Sequence, residues 1–469
     1  MKKILPVILL VMLTLPAEIV FSQGVDVLHF MRLNPFSMYS DPTAETIYKG
    51  YVAVLPISNL GVDVYNDALR YKDVFNVDNE GYPVSIDGNR IADKLKNRNS
   101  LTFDLNTELL GFGFKCKNVF VTFDWRIRAN MDLFYSKDLL AFPINGNMHY
   151  LGEEHPADMN MQVGLNAYQE ISFSIRHKIK DKFTWGIRPK LLFGVANVRV
   201  SDLGVQVMTD EDDYTLRMNG NLSANVATSL PLLLSLDKTG MLCQFDWENL
   251  VVSDLFKNVG AAVDLGFRYE ILKGLSVSAS VMDLGGIFWK TSPKLIQGGL
   301  TDNGRYFDNG GILFDGITEQ DIAMLRDENA RQGLVDSLMG YVDLSTEQMS
   351  GYFSMLPTRM MLQGDYEINK NHRVSAVLQG RVVNKKFIPS ATFAYDLNIS
   401  RFVDICVAYT LQRNCYDNVA FGLGLNLGPL NLYAGTNNVV SWIDYRNWSR
   451  ASAYVGLVVN WGHLKKPTE

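Results

Sequence analysis

The stretch from Val119 to Leu133 constrains this chain more than any other. Val119, Val121, Phe123, Trp125, Ile127, Ala129, Met131 and Leu133 alternate with Phe120, Thr122, Asp124, Arg126, Arg128, Asn130 and Asp132. Side chains on a strand point alternately to opposite faces, so one face here is apolar and the other largely polar or charged. Strands of soluble proteins usually run to about 5 or 6 residues. A longer strand with one oily and one charged face suits the wall of a membrane barrel.

Residues 1–22 read as a secretory signal peptide: Lys2 and Lys3 are basic, Ile4 to Leu15 apolar, and Val20-Phe21-Ser22 forms an exit before Gln23. No other apolar run reaches the ~20 residues of a spanning helix. Export without hydrophobic helices directs a chain of alternating strands to a bacterial outer membrane. The 47% apolar and 20% charged content looks soluble only because barrel strands interleave polar with apolar residues. A net charge of -6 gives no basic footprint for nucleic acid. Cys116, Cys243, Cys406 and Cys415 show no metal-type spacing; Cys406 and Cys415 are the candidate disulfide pair of an exported protein.

The alternation recurs down the chain. Leu101, Phe103 and Leu105 carry it until Leu109-Leu110 shifts the phase, as a bulge would. It returns around Ile171, Phe183, Leu216, Val259, Leu275, Met360, Val374, Ala391, Val403, Val419 and Ala451. Pro189 falls on an apolar face, where an irregular ladder is expected. Compact links at 178–182, 270–274, 367–372 and 398–401 read as periplasmic turns, which makes 136–161, 201–214, 291–356 and 437–449 external loops. Strands near Asn225 and Val259 would then run the same way, so 230–258 is expected to hide an extra strand or a crossover.

The expected fold is all-β: an antiparallel transmembrane barrel over 46–461 of about 14 strands (12–16), since bacterial single-chain barrels carry even numbers. Within the insertion 291–356, Thr318 to Asp321 and Ser345 to Gln348 have capping-box spacing before helical periodicity, which predicts helices over the barrel mouth or, alternatively, a solvated acidic loop. The segment 23–45, with Asn34-Pro35 and Asp41-Pro42, lacks strand pattern and reads as a plug in the lumen or a periplasmic tail. Residues 462–469 form a C-terminal tail.

Few residues suggest chemistry. The sequence contains no P-loop, HExxH, GxSxG or dinucleotide fingerprint, and no cofactor or enzymatic activity is expected. His29, His177, His372 and His463 read as interfacial or outside the barrel proper. His149 and His155, with Glu153 and Glu154 between them, are the nearest approach to a metal set, and a solvated loop explains them as well. The lumen is more telling. If apolar faces meet lipid, Asp104, Glu108, Asp124, Arg126, Arg128, Arg176, Arg188, Lys190, Asp264, Arg268, Arg359, Asp365, Arg373, Arg381 and Asp404 point inward. Both signs occur, which suggests salt-bridged packing against a plug rather than a wide channel lined by one sign.

Leu33-Asn34-Pro35, Val54 to Asn59, Asp283-Leu-Gly-Gly-Ile-Phe-Trp289, Gly311 to Gly316 and Leu356-Pro357 resemble an uncharacterised Bacteroidetes-type family of outer-membrane proteins, related in architecture to FadL and PorV barrels. The resemblance covers most of the mature chain. It implies about fourteen strands with an N-terminal segment in the lumen, although Phe36 replaces the family's usual Ala after Asn-Pro. Two roles follow as expectations. The first is FadL-like passage of a hydrophobic or amphipathic molecule through an apolar cavity beneath the external loops. The second is PorV-like anchoring of an envelope protein partner through the 291–356 insertion. Outer-membrane lipid surrounds the barrel in either case.

Overall fold

The period-2 pattern of the sequence becomes the two faces of one closed sheet. The structure, a computed structural model, describes residues 25–463 except 55, 79, 81, 153, 181, 213–215, 231, 238–239, 246–250, 300–304, 307–342, 384–385, 400–401 and 412–417. The expected signal peptide, Glu153, Cys415, the helices expected around 318–338 and most of the C-terminal tail lie outside the described residues.

The wall has fourteen antiparallel positions. The first, β1, comes in two collinear pieces, Tyr48–Val54 and Leu60–Asn66; β2 is Arg98–Cys116, β3 Val119–Ser136, β4 Met161–Ile179 and β5 Phe183–Thr209. Then come β6 (Asn258–Leu272), β7 (Leu275–Trp289), β8 (Thr358–Glu367), β9 (His372–Val383) and β10 (Lys386–Ile399). The last four are β11 (Val403–Leu411), β12 (Val419–Leu427), β13 (Leu430–Thr436) and β14 (Arg450–His463). Because β14 pairs with both β13 and β1, and β1 pairs with β2, the sheet closes without a free edge.

Burial is inverted relative to a soluble protein. Phe173, Leu191, Phe267, Leu362 and Phe393 project outward and are exposed, while Thr122, Asp124, Glu170, Arg188, Asp264 and Asp404 project inward and are buried. Such an exterior is stable only against hydrocarbon, and closure satisfies the backbone there, so this is an outer-membrane barrel. Short turns gather at one end, as at Lys117-Asn118 and Lys273-Gly274, and both ends of the barrel chain, Tyr48 and His463, pair there. That end is periplasmic by the usual asymmetry of loop lengths.

Several sequence expectations change. The external loop expected at 201–214 is mostly wall, because β5 continues to Thr209. Ser345 to Gln348 is not a helix start but part of a strand, Asp343–Gln348. The expected extra strand between Asn225 and Val259 is not a wall position. Leu216–Thr228 and β6 do run the same way, but both pair with β5, one along its outer part from Ala196 to Thr209 and the other along its inner part from Phe183 to Gly194. They share a single column of the wall. Between them, Leu232–Asp237 and Gly240–Phe245 pair with each other in a separate two-stranded sheet.

The same end-to-end stacking builds the next columns. Lys294–Gly299 follows β7 and pairs with Leu216–Thr228, Asp343–Gln348 pairs with Lys294–Gly299, and Tyr352–Met355 pairs with β7 on the way into β8. The described ends of the 291–356 insertion therefore raise one side of the wall above the lipid band. The loop between β3 and β4 holds a short helix, Asp138–Asn145, and the loop between β1 and β2 holds Tyr71–Val74, a hairpin of Phe75–Val77 with Pro83–Ile86, and Gly88–Lys94.

Candidate functional site in the barrel lumen

Residues 25–45 thread the lumen in two short 3-10 turns, Val27–Phe30 and Pro35–Tyr39. Pro35 stands at the first turn position and Asn34 caps it by accepting from Phe36 N at 3.0 Å, the pairing that Asn-Pro favours. Wall side chains bond the backbone of this segment at several points. Val27 N donates to Asn437 Oδ1 at 3.0 Å and Leu33 N to Asp404 Oδ2 at 2.9 Å, while Arg373 and Asn431 donate to the carbonyls of Phe30 and Leu33. His29, which the sequence places outside the barrel proper, is buried inside it with Nε2 2.7 Å from Gln363 Oε1. Arg32 Nε reaches Asp396 Oδ2 at 2.9 Å, and Asp41 Oδ2 accepts from Ser278 Oγ at 3.0 Å.

Tyr39 is the deepest anchor. Its hydroxyl oxygen lies 2.6 Å from Glu108 Oε2 and 2.9 Å from Asp124 Oδ1, and its one proton is shared between these two acceptors. Its ring lies under two guanidinium groups, Arg126 at 3.7 Å and Arg188 at 4.6 Å. Burial, then the charges of Asp124 and Glu108, raises its pKa well above the usual tyrosine range, so the hydroxyl keeps the proton it donates. At the periplasmic end Glu45 meets Lys178 at 2.9 Å; burial pulls its carboxyl upward, but Lys178, Arg176 and Arg268 outweigh that and hold it at about 2.

The sequence-predicted lumen charges divide into groups. Around Tyr39, Arg188 lies 3.7 Å from Asp124 and 3.9 Å from Asp264, and Lys190 lies 2.8 Å from Asp264. Arg268 pairs with Asp365, and Arg373 lies 3.4 Å from Asp396, which also takes Arg32. Arg381 makes a two-pronged pair with Asp132 at 3.1 and 3.2 Å.

Two carboxylates that sequence reading missed tie the network together. Asp283 accepts from Lys190 at 2.6 Å, from Arg128 at 2.9 Å and from Arg359 Nε at 3.0 Å, while Glu170 takes Arg126 and, at 3.2 Å, Arg128. Glu170 stands one alternation step before Ser172, so extending the pattern of β4 by two residues finds it. Asp283 has no such signal. On β7 the inward residues are Ser276, Ser278, Ser280 and Met282, so plain alternation sends Asp283 toward lipid. A ladder irregularity between Val263 and Leu265 on the partner strand and a φ of 59° at Asp283 turn it inward instead, and Asp264 Oδ1 accepts its backbone N–H at 2.7 Å.

Above Tyr39 lies a cavity of about 140 Å³. Val25, Leu28, Phe36 and Tyr39 of the N-terminal segment form one side, and Arg126, Arg128, Arg359 and Arg381 another. Its lining is mixed rather than the apolar one expected. Asn59 reaches it from the interruption in β1, where Pro56–Ser58 forms a single 3-10 turn. Ser58 and Asn59 are buried, whereas Val54 and Ile57 are about half exposed on the outside. Tyr433 Oη donates to Ser58 O at 2.7 Å and Glu108 N to Asn59 O at 3.1 Å. Opposite the turn, β2 carries its own irregularity between Glu108 and Leu110, where the sequence phase shifts. A Cβ on Gly456 of β14 would stand 2.0 Å from Tyr433 Cζ and 2.5 Å from Ser58 O, so only glycine admits this packing.

A model of a family of unknown function, DUF5723, matches residues 42–437. The chain belongs to this family. Among solved structures it is similar to the Pseudomonas putida toluene transporter TodX, at 7% identity over 94% of this chain and 98% of that one, with a TM-score of 0.40. It is also similar to a Pseudomonas aeruginosa FadL homologue, at 9% identity over 95% and 100% of the two chains, with a TM-score of 0.36. Nothing matches among the curated proteins. Within DUF5723, then, this member is a fourteen-strand barrel whose N-terminal segment lies in its own lumen.

Proposed function

We propose that this DUF5723 barrel admits an amphipathic small molecule into its lumen and that residues 25–45 act as the hatch controlling its passage. The cavity carries this reading: apolar and aromatic groups of the hatch face guanidinium groups of β3, β8 and β9 and the carboxylates of Asp63 and Asp104 across one space, which suits a molecule with an oily part and a polar part. Both charge signs line the lumen, unlike the single-sign rings of ion-selective pores. The interruption of β1 is the part of the wall we assign to lateral exchange, since Asn59 touches the cavity while Ile57, two residues away, faces lipid.

The reading is tested by flux into vesicles containing the purified barrel. A fluorescent amphiphile with one carboxylate is expected to cross well above the protein-free rate, while a neutral disaccharide of similar mass stays at background. Equal passage of the sugar would mean an open pore, and no passage of either would leave the hatch reading without support.

A further inference from the structure

We propose that the external rim of the barrel holds the phosphate group of an outer-leaflet lipid, in a recess between the loop that follows β1 and the start of β14. This site is separate from the lumen and does not depend on the hatch. The recess is lined by Arg70, Lys72, Lys94 and Lys96, with Asp67 and Asp73 the only carboxylates among its described residues.

Both carboxylates also shape the loop and keep their charge there, so four cations against two carboxylates leave the recess net positive. Asp67 Oδ1 accepts the Ser100 N–H at 2.6 Å, and Asp73 Oδ2 accepts the Arg70 N–H at 2.9 Å as a capping interaction for Tyr71–Val74. Arg90 braces the back of the recess, donating to Lys72 O at 2.7 Å and to Asn76 Oδ1 at 2.8 Å. Lys96 Nζ is held at 3.1 Å from Asp67 O. Four cations thus line one concave, backbone-braced surface, on which Lys72 and Lys94 are exposed. Phosphate, with several strong acceptor oxygens and up to two charges, is the anion that such a set of donors matches.

The surroundings choose a lipid as its source. The hairpin braced by Arg90 shows Tyr82 (65% exposed) and Val84 (69%) to the outside, and Tyr71–Val74 packs against the turn Tyr445–Asn447, beside Trp442 (68%) and Ile443 (81%). Large apolar side chains this exposed, flanking a cationic recess at the lipid-facing rim, form the arrangement by which proteins hold lipid headgroups: charge at phosphate depth and aromatic or branched groups beside it.

The test uses the whole barrel carrying Lys72→Glu and Lys94→Glu, both exposed positions whose change leaves the wall intact as judged by heat-modifiable migration. Barrels are incorporated into nanodiscs containing a trace of lipid with a phosphate monoester headgroup, re-extracted in mild detergent, and analysed for bound lipid by native mass spectrometry. Wild type is expected to retain the phosphate-bearing lipid over a zwitterionic one, and the double variant to retain it at least about tenfold less, as reversal of two interfacial cations implies. Equal retention by the two proteins overturns the proposal. Displacement of the lipid by millimolar inorganic phosphate alone overturns the lipid as occupant and leaves a free-phosphate site.

Discussion

Asp283→Ala is expected to be the most damaging single change in the lumen. Asp283 is buried and is shared by Arg128, Lys190 and Arg359, so its removal leaves Arg359 without its carboxylate and leaves Arg128 and Lys190 to Glu170 and Asp264 alone. Breaking a buried ion pair from one side costs about 3–5 kcal/mol, because the surviving charge keeps its desolvation penalty without its partner. Alanine also fits poorly at a φ of 59°, which asparagine and aspartate tolerate better. Asp283→Asn should therefore lose less than alanine, and combining it with Lys190→Met should cost less than the sum of the two single changes. Urea unfolding in lipid vesicles, followed by tryptophan fluorescence, measures the three single variants and the double one. A loss below about 1 kcal/mol for Asp283→Ala would mean that the network does not organise the lumen.

That the most connected carboxylate escaped sequence reading is instructive about barrels. Alternation reaches Asp124, Arg126, Arg188, Lys190 and Asp264 because the extra residues of the nearby bulges fall on neighbouring strands, so parity along these stretches still tells inside from outside. It fails where the backbone departs from period 2. At Asp283 an irregular ladder and a left-handed residue reverse the parity; at Pro56–Ser58 a 3-10 turn interrupts β1 without ending it. The collinear stacking of Leu216–Thr228 on β6 is invisible for another reason: each segment has an ordinary strand pattern, and only their shared neighbour β5 shows that they fill one position. The hatch is legible in part. Asn34-Pro35 marks a turn and the absence of alternation marks a segment outside the wall, but pairings such as Leu33 with Asp404 span hundreds of residues and leave no local pattern.

Tyr39→Ala is the second change with a large expected effect, this time on the hatch rather than the wall. It removes the hydroxyl whose one proton Glu108 and Asp124 share, a hydrogen bond to a carboxylate worth about 1.5–3 kcal/mol, and two cation–π contacts of about 0.5–2 kcal/mol each. Glu108 and Asp124 also lose a buried donor. The wall keeps its backbone ladder, so the barrel should fold and remain heat-modifiable, while amides from Phe30 to Ser40 exchange with solvent at least 100-fold faster than in wild type. Tyr39→Phe retains the ring between Arg126 and Arg188 and should fall between the two. Unchanged protection in Tyr39→Ala would show that the hatch is held elsewhere, with Arg32, Leu33 and Asp41 the remaining anchors.

If residues 25–45 occupy the lumen and control passage, a reversible covalent tie between this segment and the wall should stop flux. Val27 Cγ1 lies 2.8 Å from where a Cβ on Gly435 of β13 would stand, so cysteines at 27 and 435 are within disulfide reach. In a background lacking the native cysteines, V27C/G435C should form the bond on mild oxidation in native membranes. Flux of the amphiphile should stop in the oxidised protein and return on reduction. Failure of the bond to form would contradict the lumenal placement, and flux unaffected by a complete bond would contradict control by the hatch.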